Sequence, residues 1–363
     1  MKRLAAIAVL TAVAATLLLT QQIIRLDHTR VYGISYVKGF EPGRKGLDKT
    51  LGLGDGQAYA EIARDPTLAR PAAFRFGPHS AAYRFGRPLF GELVWALSLG
   101  RPGNVTATMA AVCIVATGAA GAALASLIAR RGGNPWLGAG VAFLPGAWSA
   151  TTGLTSETLA LAFGTWGVVL WMRHRRPTPA VVVLFSLAVL TRETMLLVPI
   201  ALVAWSWHRS RDARRAHLAM VAVPAAVLGA WYVVVYARFD AWPFASGPKG
   251  AFGLPFTGIF HALSGWSGSL PDLFALAGGL GLVLLARRSN RNDPLRWIVI
   301  AYVVFAPFMG PAVWARWQDF GRPLLPLYAF ALVLAAGTAA GPGRDRDTAG
   351  TASVEPQVMS SMR

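Results

Sequence analysis

The sequence predicts an all-α integral membrane protein with about ten transmembrane helices and a large loop after the first. Hydrophobic residues make up 54% of its 363 residues and charged residues only 14%, whereas a soluble domain carries about 25% charged residues. Apolar runs recur along the chain, and Lys and Arg collect in short segments between alternate runs. Too few polar residues remain to cover a water-facing surface, which excludes an ordinary soluble domain.

The apolar runs define the predicted spans. Most are long enough to cross a hydrocarbon core of about 30 Å, although three in the middle of the chain are short. The first follows Lys2 and Arg3 and is long for the hydrophobic region of a signal peptide, so we predict a retained helix. The spans are residues 4–24, 106–129, 134–150, 157–172, 178–191, 194–207, 217–236, 270–286, 295–313 and 323–340.

The distribution of basic residues predicts the orientation. With the N-terminus inside, the inner helix ends hold fifteen Lys and Arg residues and the short outer connections hold five. This asymmetry accounts for the formal charge of +18, so we expect no nucleic-acid partner. Arg-, Ala- and Gly-rich composition favours a bacterial source. The expected location is the bacterial plasma membrane, with both termini cytoplasmic.

The predicted domain organisation is one transmembrane domain, residues 1–340, and a disordered cytoplasmic tail, residues 341–363. Within the domain, residues 25–105 form the first extracytoplasmic loop, which is too long to be a plain connector. Its segments 57–65 and 88–99 are predicted helices, and the second has the apolar face of a helix that lies in the membrane interface. The outer segment 238–268 is expected to be a lid or an interfacial loop.

Charged residues collect at the predicted outer helix ends, which favours a polar cavity that opens outward. Asp55 stands in a Gly-Asp-Gly turn before a predicted helix, where free backbone N–H groups would hold its carboxylate ionised. A positioned carboxylate is suited to act as general base toward a sugar hydroxyl. The alternative is a plain turn with Asp55 as the helix N-cap.

Arg192 and Glu193 lie between two short predicted helices, so their turn is expected below the outer surface. Arg192 is a candidate for binding a lipid phosphate, because its planar donors fit phosphate oxygens. The alternative is an ion pair between the two neighbours that closes the hairpin. Glu157 begins another outer helix, and its alternative role is capping, with the acid stabilised by the helix dipole.

Four further arginines are candidates for phosphate binding on the same face. Arg316 and Arg322 precede the last predicted span, where an interfacial belt of Trp and Arg is the alternative. Arg84 and Arg87 stand in the first loop, where contact with lipid headgroups is the alternative.

No cofactor is expected from the sequence. Cys113 is the single cysteine and the six histidines are scattered, which argues against a Cys or His metal site. The P-loop, Gly-x-Ser-x-Gly and His-Glu-x-x-His motifs are also missing from the sequence.

Four segments together resemble the GT-C superfamily of polyprenyl-phosphate-dependent glycosyltransferases, nearest to its protein-mannosyltransferase-like and uncharacterised bacterial branches. They are residues 55–66, 82–89, 156–194 and 322–327, in the family's order. The resemblance implies a GT-C-like fold whose first outer loop carries two membrane-parallel helices. It also implies an acidic catalytic base in that loop, which falls on Asp55. Arg192 and Arg322 match the basic positions that hold the carrier phosphate.

The activity implied by the resemblance is inverting transfer of a mannose-like sugar. The donor would be a polyprenyl-phosphate-linked sugar, and the acceptor an extracytoplasmic lipid, glycan or protein. Tyr59, Glu157 and Glu193 would support the site. Many family members have an acidic pair in this loop, but Gly56 follows Asp55 here, so a bridging divalent metal is not supported.

Two other function classes compete with the enzyme. A transporter or flippase for a lipid or lipid-linked sugar would usually show paired halves, broken helices and charge near the membrane midplane. A non-enzymatic scaffold for envelope assembly would tolerate the loss of Asp55. Charge at the outer face favours the enzyme over both.

Overall fold

The computed structural model describes residues 2–28, 46–53, 55–67, 69, 77–207, 213–248, 250–266 and 269–338. These residues form α-helices joined by turns and short 3₁₀ segments, with one isolated bridge between Phe252 and Met309. The predicted disordered tail, residues 341–363, lies outside the described residues, as do parts of the first loop.

The helices in chain order are α1 (Lys2–Asp27), α2 (Gly56–Arg64), α3 (Gly77–Phe85), α4 (Pro88–Leu97), α5 (Val105–Ala129), α6 (Pro145–Thr152), α7 (Glu157–His174), α8 (Pro179–Thr191), α9 (Leu197–Trp207), α10 (Ala213–Phe239), α11 (Thr257–Trp266), α12 (Leu270–Ala286), α13 (Pro294–Phe305), α14 (Pro311–Trp314), α15 (Trp317–Gly321) and α16 (Leu325–Thr338). The 3₁₀ segments are Gly46–Leu53, Pro102–Asn104, Pro135–Phe143, Glu193–Leu196, Pro243–Ala245 and Ala306–Phe308.

Three helical segments in the described residues are long and apolar enough to cross a membrane: Lys2–Asp27, Pro102–Ala129 and His217–Phe239. Further apolar helices of 10–17 residues coincide with most of the other predicted runs. The all-α class is therefore confirmed, and so is the presence of helices able to span a bilayer. The count of about ten spans stays a prediction.

One predicted span, 134–150, is wrong as a continuous helix. The chain instead forms the 3₁₀ segment Pro135–Phe143 and then α6, with the extended residue Leu144 between them. Pro145 explains the break, because proline disfavours helical backbone in the residue before it and offers no N–H. Gly138 packs so tightly that an added Cβ would lie 2.6 Å from the carbonyl oxygen of Gly121.

The two helices predicted in the first loop are confirmed as α2 and α4. They pack closely, since a Cβ on Gly91 of α4 would lie 2.4 Å from the Cγ2 atom of Ile62. The buried rings of Tyr59 and Phe90 meet edge to face, with centroids 5.3 Å apart. Helix α3 was not predicted. The membrane-parallel orientation of α2 and α4 stays a prediction.

Helix α5 packs against α1, α7, α16 and the segment Pro135–Phe143. Its glycines allow α1 to approach. A Cβ on Gly121 would lie 2.5 Å from Thr11 Oγ1, and one on Gly118 would lie 2.8 Å from the carbonyl oxygen of Ala8. Small residues at helix interfaces permit this close backbone contact, which is typical of helix packing in membranes.

Candidate functional site

Asp55 lies between two arginines from distant parts of the chain. Its Oδ2 atom is 2.8 Å from Nη1 of Arg84, at the end of α3, and 2.9 Å from Nη1 of Arg322, between α15 and α16. The prediction that backbone N–H groups of the following helix hold this carboxylate is wrong, because Asp55 makes no side-chain capping hydrogen bond to α2. Guanidinium groups take that role instead.

These arginines determine the ionisation of Asp55. Burial alone would raise the pKa of the Asp55 carboxyl, but the guanidinium groups of Arg84 and Arg322 outweigh burial and hold this pKa well below its usual range. The carboxylate is therefore ionised at every physiological pH. In this state it is a weak proton acceptor, since a general base works best when its pKa lies near the working pH.

The backbone on either side of Asp55 is fixed by tight packing. Gly56 faces the turn between α6 and α7, where an added Cβ would lie 2.4 Å from the carbonyl oxygen of Gly153. One turn further along α2, the hydroxyl of Tyr59 lies 3.0 Å from Oγ of Ser156, in the same turn. Tyr59 therefore anchors the loop helix to the bundle, and a side chain at position 56 would have to displace the adjoining turn.

Glu157 is the buried anion of the site. Its side chain is 2% exposed, and Oε1 contacts Nη1 of Arg192 directly and lies 4.0 Å from Nη1 of Arg322. Ser156 is the N-cap residue of α7, but its side chain makes no capping hydrogen bond to that helix. The capping arrangement predicted around Glu157 is therefore not formed by Ser156. The buried acid fixes Arg192 and contributes to the field that orients Arg322.

Arg192 and Glu193 do not pair with each other, so the self-contained hairpin interpretation is wrong. Arg192 pairs with Glu157 on α7, whereas Glu193 accepts two bonds from Arg87, at 2.6 Å from Nε and 2.5 Å from Nη2. This pair of hydrogen bonds links the start of α4 to the turn between α8 and α9. The Tyr83 ring lies under both loop guanidinium groups, with its centroid 4.7 Å from Cζ of Arg87 and 4.9 Å from that of Arg84.

Asp319, which was not among the predicted site residues, joins Arg316 and Arg322. Its carboxylate lies 3.0 Å from Nε of Arg316 and 3.3 Å from Nη2 of Arg322. The two arginines differ in exposure, because the Arg316 side chain is 68% exposed and that of Arg322 is 17% exposed. Arg316 therefore lies at the rim of the site, where solvent screens its charge.

We call these residues the ionic cluster: Asp55, Arg84, Arg87, Glu157, Arg192, Glu193, Arg316, Asp319 and Arg322. All except Glu157 line one cavity of about 710 Å³. Five arginines and four carboxylates leave one positive charge in excess. A cavity with surplus guanidinium groups is suited to bind a phosphate or another small anion.

One wall of this cavity is aromatic, and sequence reasoning did not identify it. It is formed by Tyr232 from α10, Phe244 and Phe252 from the segment between α10 and α11, and Phe305 from α13, which line the same cavity as the ionic cluster. The signal available was Tyr232, which follows Trp231 in a largely aliphatic run. The segment 238–268, predicted to be a lid or loop, contributes part of the wall and contains α11.

Two acids at predicted outer helix ends are not part of the ionic cluster. The Asp272 side chain accepts a hydrogen bond from the backbone N–H of Trp317 and so fixes the start of α15. Asp240 has left-handed backbone (φ 51°) just after α10. Across the described residues, no group of three or more His, Cys, Asp or Glu side chains is placed to hold a metal ion.

No family model matches the chain, and no curated protein or solved structure shows significant similarity to it.

Proposed function

We propose that the protein is a membrane glycosyltransferase that moves a mannose-like sugar from a polyprenyl-phosphate carrier to an extracytoplasmic acceptor. One observation carries the proposal. The Asp55 carboxylate contacts two arginines, Arg84 and Arg322, and all three residues line an open cavity that carries excess positive charge. Transfer from a lipid phosphate requires these two parts together, a base for the acceptor hydroxyl and fixed cations for the departing phosphate.

The proposed step is a direct displacement. Asp55 takes the proton of the acceptor hydroxyl as its oxygen forms a bond to the anomeric carbon. The bond from that carbon to the phosphate oxygen breaks on the opposite face, so the configuration inverts. The electron pair stays on the phosphate, whose growing charge Arg84, Arg192 and Arg322 stabilise through charge-assisted hydrogen bonds.

The strong pairing of Asp55 gives the donor a second role. A bound phosphodiester competes with Asp55 for Arg84 and Arg322, because both anions need the same guanidinium N–H groups. Each contact that moves to the phosphate removes positive charge from the carboxylate and raises its basicity. The base therefore becomes effective only when a donor is bound, which limits reaction of an unfilled site.

The membrane arrangement completes the proposal. In the proposed arrangement of about ten spans with both termini cytoplasmic, the first loop, and with it Asp55, lies on the outer side. Arg84, Arg87, Arg192 and Arg322 then hold the donor phosphate at the outer interface, with Arg316 at the rim, and Glu157, Glu193 and Tyr59 support them. The aromatic wall offers apolar surface to the carrier chain.

The test is sugar transfer by purified protein in liposomes, with polyprenyl-phosphate-linked mannose, glucose and arabinose as donors. Asp55→Asn is compared with Asp65→Asn, a matched change ten residues away whose carboxylate, among the described residues, accepts hydrogen bonds from Thr67 and from the backbone N–H of Ala69. Transfer by wild type and Asp65→Asn but not by Asp55→Asn supports the proposal. Equal transfer by all three overturns the base assignment. Lipid translocation without transfer would replace the enzyme with a flippase.

A further inference from the structure

A second cavity, separate from the ionic cluster, opens between α4, α5, α7 and α8. Its volume is about 780 Å³, and its walls are almost entirely apolar. Among its lining residues are Leu97 of α4, Ala111 and Val115 of α5, and Trp166 of α7. Within the described residues, none of those that line this cavity also lines the cavity of the ionic cluster. The two are therefore distinct sites.

The cavity runs along α5 as a groove with one polar end. Its lining extends from Asn104, at the start of α5, to Ala119, which is about 22 Å of helix at 1.5 Å per residue. Asn104 and Thr108 supply polar atoms at the first end. At the other end the Trp166 indole closes the groove, and its N–H already donates to the carbonyl oxygen of Ala119 at 3.1 Å. No polar ligand group is needed there.

The groove is about as long as one hydrocarbon chain in one leaflet of a bilayer. One leaflet contributes half of a hydrocarbon core of about 30 Å, which is about 15 Å. The interfacial region adds several ångströms to that length. The volume lies within the range of about 300–1,000 Å³ typical of sites for a single small ligand, which is too small for a long polyprenol. Water is a poor occupant, because it needs two to four polar partners that the middle of the groove lacks.

From these observations, we propose that the groove binds one acyl chain of a membrane phospholipid, with the headgroup beside Asn104 and Thr108. The inference rests on α5 crossing the membrane and does not depend on the transferase reaction. Small side chains form the floor, and exposed Leu97 and Val115 form the edges, so the chain is held along its length. The bound lipid fills the space between the loop helix α4 and the bundle.

The test is native mass spectrometry of protein purified in mild detergent and freed of loosely bound lipid. Wild type is expected to retain one phospholipid. Ala111→Phe places a ring in the groove from an exposed position and is expected to reduce retention at least tenfold; Ala107→Phe, nearer the polar end, repeats the test. Ala226→Phe, at an exposed position on α10, is the matched control and is expected to retain the lipid.

Equal retention by all four proteins overturns the proposal, as does a retained mass that identifies polyprenyl phosphate in place of a phospholipid. Thermal unfolding of each variant shows whether it is folded, and only folded variants are compared. The readout needs no sugar transfer. Failure of the proposed glycosyltransferase activity would therefore leave this result unchanged.

Discussion

Asp55 and Arg322 are separated by 267 positions in the chain, yet Oδ2 of the first lies 2.9 Å from Nη1 of the second. This contact joins the loop after α1 to the junction between α15 and α16. Its two partners are only partly exposed, at 16% and 17% of their side chains, so water weakens their attraction little. The same pair that organises the resting site would have to separate when a phosphate binds, and several of the following predictions depend on this exchange.

Replacing Asp55 by Asn is expected to abolish transfer and to tighten phosphate binding. Loss of a general base typically costs a factor of about 10² to 10⁴ in rate. The same change removes the Asp55 carboxylate that competes with phosphate for Arg84 and Arg322, so affinity for farnesyl phosphate in micelles should rise by about tenfold, or roughly 1.4 kcal/mol. Titration calorimetry measures this, with Asp65→Asn as control. Weaker phosphate binding by Asp55→Asn would show that the arginines do not form the anion site.

Replacing Arg322 should lower activity much more than replacing Arg316. Arg322→Gln removes a partly buried cation that contacts Asp55 and Asp319, and should lower kcat/KM by about 100-fold, or roughly 2.7 kcal/mol. Arg316→Gln removes an exposed, screened charge and should lower it by less than about threefold. Similar losses for both variants would place the phosphate at the rim, away from Asp55.

Glu157→Gln is expected to destabilise the fold strongly. It leaves the Arg192 guanidinium, whose side chain is 12% exposed, without its anion, and removal of one member of a buried pair costs about 3–5 kcal/mol. Glu61→Gln is the control, because the Glu61–Arg64 pair is partly exposed and worth less than about 1 kcal/mol. Thermal unfolding in detergent compares the two. Equal melting temperatures would mean that Glu157 is uncharged in the folded protein.

The acid stability of the protein should depend on Arg84. Because the folded-state pKa of Asp55 is lowered, its ion pairs stabilise the fold fully above the unfolded pKa of about 4 and are lost only as pH falls through the lower folded value. In Arg84→Gln the folded pKa is higher, so less of this stabilisation exists and it disappears at a higher pH. Melting temperatures from pH 7 down to the most acidic pH at which the wild type stays folded, each normalised to its maximum, test this, because the Arg84→Gln profile should stop falling at a higher pH. Superimposable profiles would contradict it.

Gly56→Ala should disrupt the site through the backbone. The added methyl would lie 2.4 Å from the carbonyl oxygen of Gly153 and must displace the Asp55 turn, at a cost of about 1–3 kcal/mol. Gly229→Ala is the control, since nothing lies within 4 Å of that position in the middle of α10. That substitution should be neutral or should stabilise the helix by up to about 1 kcal/mol. The same melting temperature for both variants would mean that the turn can relax.

Hydropathy predicted most of the helices, because long apolar runs report directly on burial in lipid or protein. It failed where local chemistry overrides composition, as at Pro145, and where a helix such as α3 is too polar to stand out. Residue type and helix-end position identified most of the ionic cluster. The partners could not be predicted, because Arg87 pairs with Glu193 and Arg192 pairs with Glu157 over long distances in the chain. Local rules instead suggested a pair between Arg192 and Glu193, a capping role for Glu157 and lipid headgroup contact for Arg87.

The long separation of Asp55 and Arg322 also sets an order of assembly during synthesis. Asp55 and Arg84 leave the ribosome early, and Glu157 and Arg192 follow, but Arg322 is translated only near the end of the described chain. Until then Asp55 lacks one of its two arginine partners, and Glu157 lacks the nearby positive charge of Arg322. The ionic cluster is therefore completed late in synthesis, and a ribosome-bound chain that stops before residue 322 carries it without one of its five arginines.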